Sequence, residues 1–213
     1  MGHKVHPKIF RLSTILEFDA KWFSRKKYAA FLRQDMKLKE FLFKSLKEAG
    51  MDSIQIERGA NEITITLQVA KPGLIIGRGG IGAEELRKKI QKNFFAKDKF
   101  AVKLNIQEVS KPNLSAQIVV QNMINDLEKR MPFRRVLKQT IERVRRAGAQ
   151  GVKVMVSGRL DGAEIARREK LTDGKLPLTN LRADINYANG IAQMTYGVLG
   201  VKIWIYRGDI FKK

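Results

Sequence analysis

The sequence predicts an α+β protein of two domains, and three observations carry that reading. In the first half, apolar spacing switches between helix and strand periods in the order helix, strand, strand, short helix, glycine loop, helix, strand. The second half opens with two amphipathic helices and continues with runs of period-two alternation. Between the halves, Ser110-Lys111-Pro112-Asn113 has the composition of a short joint. The division that follows is an N-terminal extension over 1–16, a first domain over 17–109, and a smaller α+β domain over 110–213. The last is predicted to hold a mostly antiparallel sheet covered by two helices. With 213 residues, 44% of them hydrophobic, the chain can build two cores.

Tyr28, Phe31, Leu38, Leu42, Leu46 and Ala49 recur at helical spacing among lysines, and Gly50 stands where a C-terminal cap belongs. Ile54 and Ile56 then alternate with polar residues, Gly59-Ala60-Asn61 turns the chain, and Ile63, Ile65, Leu67 and Val69 alternate again, which predicts a hairpin. Lys71-Pro72-Gly73 ends that strand, Leu74-Ile75-Ile76 fits a short helix, and Gly77-Arg78-Gly79-Gly80 follows. Leu86, Ile90 and Phe94 mark the next helix, and Val102, Leu104 and Ile106 a third strand.

In the second half, Leu114, Ile118, Met123, Ile124, Leu127 and Met131 share a helical face stopped by Pro132. A further helix runs from Phe133 to Ala147. Val152, Val154 and Val156 predict a strand, Asp161 to Arg168 a short helix, and Val201, Ile203 and Ile205 a last strand. Asn189-Gly190 is a hairpin turn signal, which sets Ala183, Ile185 and Tyr187 against Ala192, Met194 and Tyr196.

Composition fixes the class of partner. Lys and Arg number 42 against 21 Asp and Glu, a formal charge of +21 that repels itself unless a polyanion compensates it. Nucleic acid is the polyanion this balance favours, with an anionic membrane surface as the alternative. No apolar run is long enough to span a bilayer, and His6 stands where N-myristoylation wants Ser or Thr, so no membrane partner is expected. The absence of cysteine removes disulfides and thiolate zinc sites. His3 and His6 have no cysteine or evident carboxylate to complete a metal site. No Ser/His/Asp set or paired acids suggests catalysis, so no metal, cofactor or enzymatic activity is expected. Trp22, Trp204 and the Phe94-Phe95 pair read as packing residues.

Two features suit RNA. The loop Gly77-Arg78-Gly79-Gly80 precedes a charged helix, and glycines there permit positive φ and close approach of a phosphate chain to the backbone. Gly77-x-Gly79-x-x-Gly82 also matches a dinucleotide pattern, but the strand is broken before the loop and no acid stands at the required distance. No Lys-Ser or Lys-Thr follows to make a nucleotide P-loop. On the motif alone an RNA clamp, a structural turn and a nucleotide site stay open. The second feature is the helix from Phe133. At 100° per residue, Val136, Leu137, Thr140, Ile141, Val144 and Ala147 fall on one half, and Arg134, Arg135, Lys138, Arg143, Arg145 and Arg146 on the other. Only Glu142 relieves the basic half, so pairs within the helix leave most of these cations over, as on a phosphate-tracking surface.

The element order, with the glycine loop between the two later helices, resembles the prokaryotic (type II) KH domain. Further blocks extend the likeness: G-H-K-V-H-P-K-I-F-R-L (2–12), P-G-L-I-I-G-R-G-G (72–80), F-R-R (133–135), V-S-G-R-L-D-G-A-E-I-A-R (156–167), L-R-A-D-I (181–185) and T-Y-G-V-L-G-V-K-I-W-I (195–205). Together they resemble the bacterial family of KH-containing ribosomal proteins numbered three in the small subunit. The resemblance implies a cytoplasmic, ribosome-bound structural protein of the small-subunit head that binds small-subunit rRNA and assists mRNA unwinding at the entry channel. It implies RNA binding at Gly77, Arg78, Gly79 and Gly80, an mRNA-entry role for the basic helix through Arg134, Arg135, Lys138, Arg145 and Arg146, and rRNA contacts at Lys4, His6, Arg11, Arg159, Arg167 and Arg168. It also implies neighbours among small-subunit proteins, those numbered ten and fourteen in the head and four and five at the entry site. Two positions depart from the family pattern: Pro7-Lys8-Ile9 lacks an Asn-Gly insertion, and Asp161 stands where glycine is usual. Two other functions stay open, a free KH-type RNA-binding or RNA-processing factor, and a nucleic-acid lyase, which would need a lysine in an apolar pocket.

Overall fold

The computed structural model describes residues 4–59, 62–95 and 101–211. They form two compact units, one from Phe18–Ser110 and the other from the described parts of Met1–Glu17 and Lys111–Lys213. Ala60 and Asn61 of the first predicted turn, and His3, lie outside the described residues.

In the Phe18–Ser110 unit the order is β1 (Ala20–Lys21), α2 (Tyr28–Ser45), β2 (Met51–Arg58), β3 (Glu62–Val69), α3 (Pro72–Ile76), α4 (Ile81–Phe94) and β4 (Ala101–Glu108), α1 (Pro7–Phe10) belonging to the other unit. The predicted helix–strand–strand–helix–loop–helix–strand sequence is therefore present, with the two-residue β1 as an addition. The sheet runs β1-β2-β3-β4; β2 and β3 are antiparallel with Ile56 opposite Ile65, and β4 lies parallel to β3 with Leu104 opposite Ile65. Leu38 and Leu42 of α2 and Leu86 and Ile90 of α4 close over the isoleucines that alternate along β2 and β3. The helical run ends one turn earlier than its spacing predicts: α2 stops at Ser45, a 3-10 turn covers Lys47–Ala49, and Gly50 takes φ 68°.

One polar cluster is buried in this unit. Asp35 of α2 and Arg58 of β2 form an ion pair with both side chains 5% exposed. The Trp22 indole N–H donates to the second Asp35 oxygen at 2.7 Å, and the Arg58 guanidinium lies 4.6 Å from the centroid of Phe31. Strand, helix and the segment after β1 thus meet on one carboxylate.

The second unit contains α1 (Pro7–Phe10), α5 (Ala116–Glu128), α6 (Phe133–Arg146), β5 (Gly151–Gly158), β6 (Arg167–Gly174), β7 (Ala183–Met194) and β8 (Gly197–Asp209). Its sheet is antiparallel in the order β6-β5-β8-β7. Val120, Met123, Ile124 and Leu127 of α5 and Val136, Ile141 and Val144 of α6 pack on Val152, Val154, Val156, Val201, Ile203 and Ile205. The predicted two helices over a mostly antiparallel sheet are what forms.

Three expectations need correction. Asp161 to Arg168 is not a helix: a 3-10 turn spans Leu160–Gly162, where Asp161 has φ 53° and Gly162 φ 80°, and the chain then enters β6. Left-handed residues cannot continue an α-helix, and β6 is an edge strand almost wholly exposed, so it lacks the apolar alternation that marks a strand. Asn189-Gly190 is not a turn but the middle of β7, with Asn189 opposite Lys202; Thr195-Tyr196 makes the reversal. Gly190 is needed because α5 crosses there: a Cβ would sit 2.6 Å from Ile124 Cδ1 and 2.7 Å from Val120 Cγ1. Finally, Arg11 is not an accessible RNA contact. It is 1% exposed and donates to the carbonyl oxygens of Pro7 (3.0 Å), Leu178 (2.9 Å) and Asn180 (2.8 Å), fastening the N-terminal segment to the loop before β7.

Removing the Asp35 carboxylate leaves Arg58 buried without its counter-charge, a loss of about 3–5 kcal/mol. Asp35→Ala is therefore expected to lower the stability of the first unit by that order, read by urea unfolding through Trp22 fluorescence in a Trp204→Phe background. An unchanged midpoint would show that the cluster does not hold the unit together.

Candidate nucleic-acid interface

The glycine loop is shaped by the two helices that flank it. Pro72 starts α3 at a position where the missing N–H costs nothing. Gly82 lets α4 cross close behind α3, since a Cβ on it would meet the Ile75 carbonyl oxygen at 2.6 Å. Between the helices, Gly77, Gly79 and Gly80 take φ values of 68°, 62° and 80°, which L side chains rarely adopt. A Cβ on Gly79 or Gly80 would meet nothing within 4 Å. The loop is therefore held from behind and open in front, with Gly80 as the N-cap of the 14-residue α4. Its open side can bring a phosphate chain against backbone and the positive helix end. Arg78 is exposed on it, flanked by Leu74 and Ile81, both 61% exposed.

On α6 the apolar half predicted from sequence is the buried half: Phe133, Val136, Leu137, Thr140, Ile141 and Val144 face the core. The cations opposite divide into two sets. Arg145 is fastened locally, donating to the carbonyl oxygens of Ala149 and Gln150 at 2.9 and 3.0 Å and pairing with Asp173 of β6 at 2.9 Å. Arg146 pairs with Glu142, and Arg143 reaches Asp126 of α5 at 3.5 Å. Arg134, Arg135 and Lys138 are exposed and have no acidic partner among the described residues; Arg134 lies only against the Phe133 ring. Placed on the helix, these three fall within about 100° of arc. Asp126 and Asp173 come from other elements, so helical spacing could not show which arginines they would occupy.

The remaining candidates differ in how free they are. Lys4, Arg167 and Arg168 are exposed. Arg159 is exposed yet bridges the carbonyl oxygens of Ala163 (3.0 Å) and Tyr196 (3.2 Å), steadying the loop that contains Asp161. Asp161 occupies a left-handed conformation natural to glycine, which accounts for the usual residue there, and aspartate is among the few side chains that tolerate it. His6 is the N-cap of α1: its Nδ1 accepts from the backbone N–H groups of Lys8 and Ile9, and its ring sits edge-on to Tyr187 at 4.7 Å.

Sequence reading missed a second basic surface in the same unit. Because Val152, Val154 and Val156 point at the helices, Lys153, Met155 and Ser157 point away from them. The register places Lys170 and Lys202 on either side of Met155, and Arg168 beside Ser157. Period-two parity along β5 carried the signal, but β6 was not foreseen as a strand, so nothing in the sequence placed Arg168 and Lys170 beside β5. Lys153 sits 5.0 Å from the Trp204 centroid, and its pKa is lowered first by desolvation and then by Lys4 and Lys170. Among the described residues no helix is long and apolar enough to cross a membrane, and no cluster of three potential metal ligands occurs.

Desolvation and then nearby Lys8 hold the His6 imidazole below its ordinary value of 6.5. The folded state thus keeps it neutral, whereas the unfolded chain takes up a proton near that value; the stability it contributes is complete above it and is lost as pH falls through the folded pKa. The thermal midpoint of this unit is expected to drop from about pH 7.5 to about pH 5.5. The drop should be smaller in His6→Asn, which keeps a capping acceptor without titrating. Equal drops in both proteins would remove His6 from the account.

Residues 37–114 match the KH domain family, and residues 123–205 match the family described as ribosomal protein S3, C-terminal domain. Over 210 residues the chain is 48% identical to the small ribosomal subunit protein uS3 of Enterococcus faecalis and 46% identical to that of Desulfitobacterium hafniense, covering 99% of this chain and 94% of each relative. The uS3 protein of Desulforamulus reducens is 48% identical over 211 residues, with the same coverage. An α+β KH unit, a second unit of two helices on an antiparallel sheet, and near full-length identity converge on one assignment: the chain belongs to the uS3 family of small ribosomal subunit proteins.

Proposed function

We propose that this chain is a non-catalytic structural constituent of the small-subunit head that binds small-subunit rRNA and, through α6, grips mRNA at the entry channel. The observation that carries the mRNA role is the contrast along α6. Arg143, Arg145 and Arg146 are drawn into ion pairs, while Arg134, Arg135 and Lys138 have no acidic partner among the described residues. Arg134 and Lys138 stand one helical turn apart, about 6 Å along the axis. Two guanidinium groups and one ammonium at that spacing suit successive phosphates of a single strand, the guanidinium forks bonding two oxygens at once.

The mechanism is electrostatic. Phosphates held on the α6 face keep one strand of a structured message from re-pairing while translocation draws it inward, and no step requires nucleotide hydrolysis. The glycine loop of Gly77, Arg78, Gly79 and Gly80 supplies a second, backbone-directed RNA contact. Lys4, Arg167 and Arg168 add rRNA contacts, and the family's usual neighbours numbered ten, fourteen, four and five are the protein partners. Near-stoichiometric cosedimentation of the tagged chain with small subunits at high salt tests the assembly role. Release into the top fractions would favour a free RNA-binding factor.

Changing Arg134, Arg135 and Lys138 together to Ala is expected to weaken binding to mixed-sequence single-stranded RNA without altering sequence preference. The slope of log K against log salt should fall by roughly 0.7 per lost phosphate contact; a slope equal to wild type would mean that these side chains do not touch phosphates. Asp at positions 78 and 79 should weaken loop-dependent RNA binding. The fold should survive, because the space around the Gly79 Cβ position is empty and a left-handed Asp costs about 1–2 kcal/mol. Loss of cooperative unfolding in that variant would make the loop structural instead.

A further inference from the structure

The long helices α5 and α6 cover one face of the second unit's sheet. Its other face can be read row by row from the register. Thr172, Lys153, Trp204 and Tyr187 lie side by side across the four strands; next come Lys170, Met155, Lys202 and Asn189, then Arg168, Ser157, Gly200 and Ile191. The first row is partly covered by the chain itself. His6 packs on Tyr187, while Leu176 and Leu178 pack with Trp204 and Tyr206. Beyond that row the face is open, and Ile191 and Val198 at its far end are 63% and 57% exposed.

No position in these rows holds an acid. Of the acids on these strands, Asp173 pairs with Arg145 at the helical side and Asp184 with Arg207, while Asp209 accepts from the Tyr206 hydroxyl at 2.9 Å, on the covered side of the first row. Adjacent strands are about 4.8 Å apart, so Lys170 and Lys202, one strand removed on either side of Met155, spring from backbones about 10 Å apart. Lys153 feels both Lys4 and Lys170 as repelling neighbours. An antiparallel sheet often has one wet face, but such a face ordinarily mixes both signs of charge. Here Lys153, Arg168, Lys170 and Lys202 stand together without an ion-pair partner among the described residues, beside exposed aliphatic side chains.

We propose that this open sheet face is an RNA-docking surface, in which Arg168, Lys170 and Lys202 hold a run of phosphates and the Ile191–Val198 end packs against ribose or base. The occupant follows from charge complementarity: a polyanion answers four cations in adjacent rows, and the aliphatic end suits a chain whose bases are presented as well as its phosphates. The inference rests on the chain's working as an rRNA-binding protein and assigns a face to that work, separate from α6 and from the glycine loop. Lys153, seated over Trp204 and close to Lys4, raises the local potential from the edge of the site.

Lysine acetylation of the full chain, read by mass spectrometry, tests it with and without a small-subunit rRNA transcript whose binding is verified by mobility shift. Lys170 and Lys202 are expected to lose reactivity several-fold in the complex. Unchanged reactivity of both while the chain is bound overturns the proposal, and Lys138 in the same spectra reports on α6 independently. Protection in intact small subunits but not with rRNA alone would assign the face to a protein neighbour and overturn it equally. As a second measurement, Lys170→Glu with Lys202→Glu should lower the salt slope for rRNA binding by roughly 1.4, the value for two lost single-strand contacts. Both residues are exposed on the sheet face, so the unit is expected to stay folded.

Discussion

Scarcity of acid governs this chain. With half as many acids as bases, each carboxylate placed in an ion pair decides which cation becomes part of the structure and which remains for a partner. In the second unit Asp126 holds Arg143, Asp173 holds Arg145, Glu142 holds Arg146 and Asp184 holds Arg207. Three of these pairs lie at seams, α5 to α6, the end of α6 to β6, and β7 to β8, with Arg207 also donating to the Leu114 carbonyl oxygen at 2.8 Å, while Glu142–Arg146 stays within α6. Among the cations outside these pairs, two groups stand out, Arg134, Arg135 and Lys138 at the start of α6 and Lys153, Arg168, Lys170 and Lys202 on the open sheet face. Surface pairs of this kind contribute little stability individually. Their effect lies in sorting the basic residues into structural and available sets.

Two buried guanidinium groups show the other use of a cation. Arg58 is matched by Asp35, and its planar face also lies within 6 Å of Trp22, Phe31 and Phe95, so charge and packing are satisfied together. Arg11 has no such carboxylate in bonding range among the described residues and donates to carbonyl oxygens instead. Desolvation lowers its pKa and Asp184 partly offsets this, yet a guanidinium stays protonated in either case. Its fork spans Pro7, Leu178 and Asn180, which lysine could not reproduce with a single ammonium. The N-terminal segment is thereby part of the second unit, though 93 residues of the other unit, Phe18–Ser110, intervene in the chain.

Much of this was legible in the sequence because it depends on local period. The alternating isoleucines of β2 and β3, the apolar stripe of α6 and the glycines between α3 and α4 each announce their geometry within a dozen residues. What was not legible depends on neighbours. Gly190 next to Asn189 has the chemistry of a hairpin turn, and only the passage of α5 over β7 explains a glycine inside a strand. Strand β6 is held by its pairing with β5 and carries polar residues on both faces, so no pattern marks it. Arg11 reads as one more basic residue in a basic N-terminus until the carbonyl oxygens of residues 177–180 surround it. Arg145 likewise belongs to the helix by period and to β6 by charge.

Strand parity ties the core to the surface. Valines at 152, 154 and 156 must face the helices to build the second core, which forces residues 153, 155 and 157 onto the opposite side. Any register slip that exposed the valines would bury Lys153, so the fold and the basic face are specified by the same alternation. A face assembled this way is repulsive in isolation and becomes favourable when phosphate replaces the missing acids. Binding a polyanion to the native state alone then stabilises that state through linkage, by an amount that grows with the ratio of free ligand to Kd. The chain's excess charge is thus a cost in the free protein and a source of stability in the complex, which makes complete folding and RNA association mutually reinforcing.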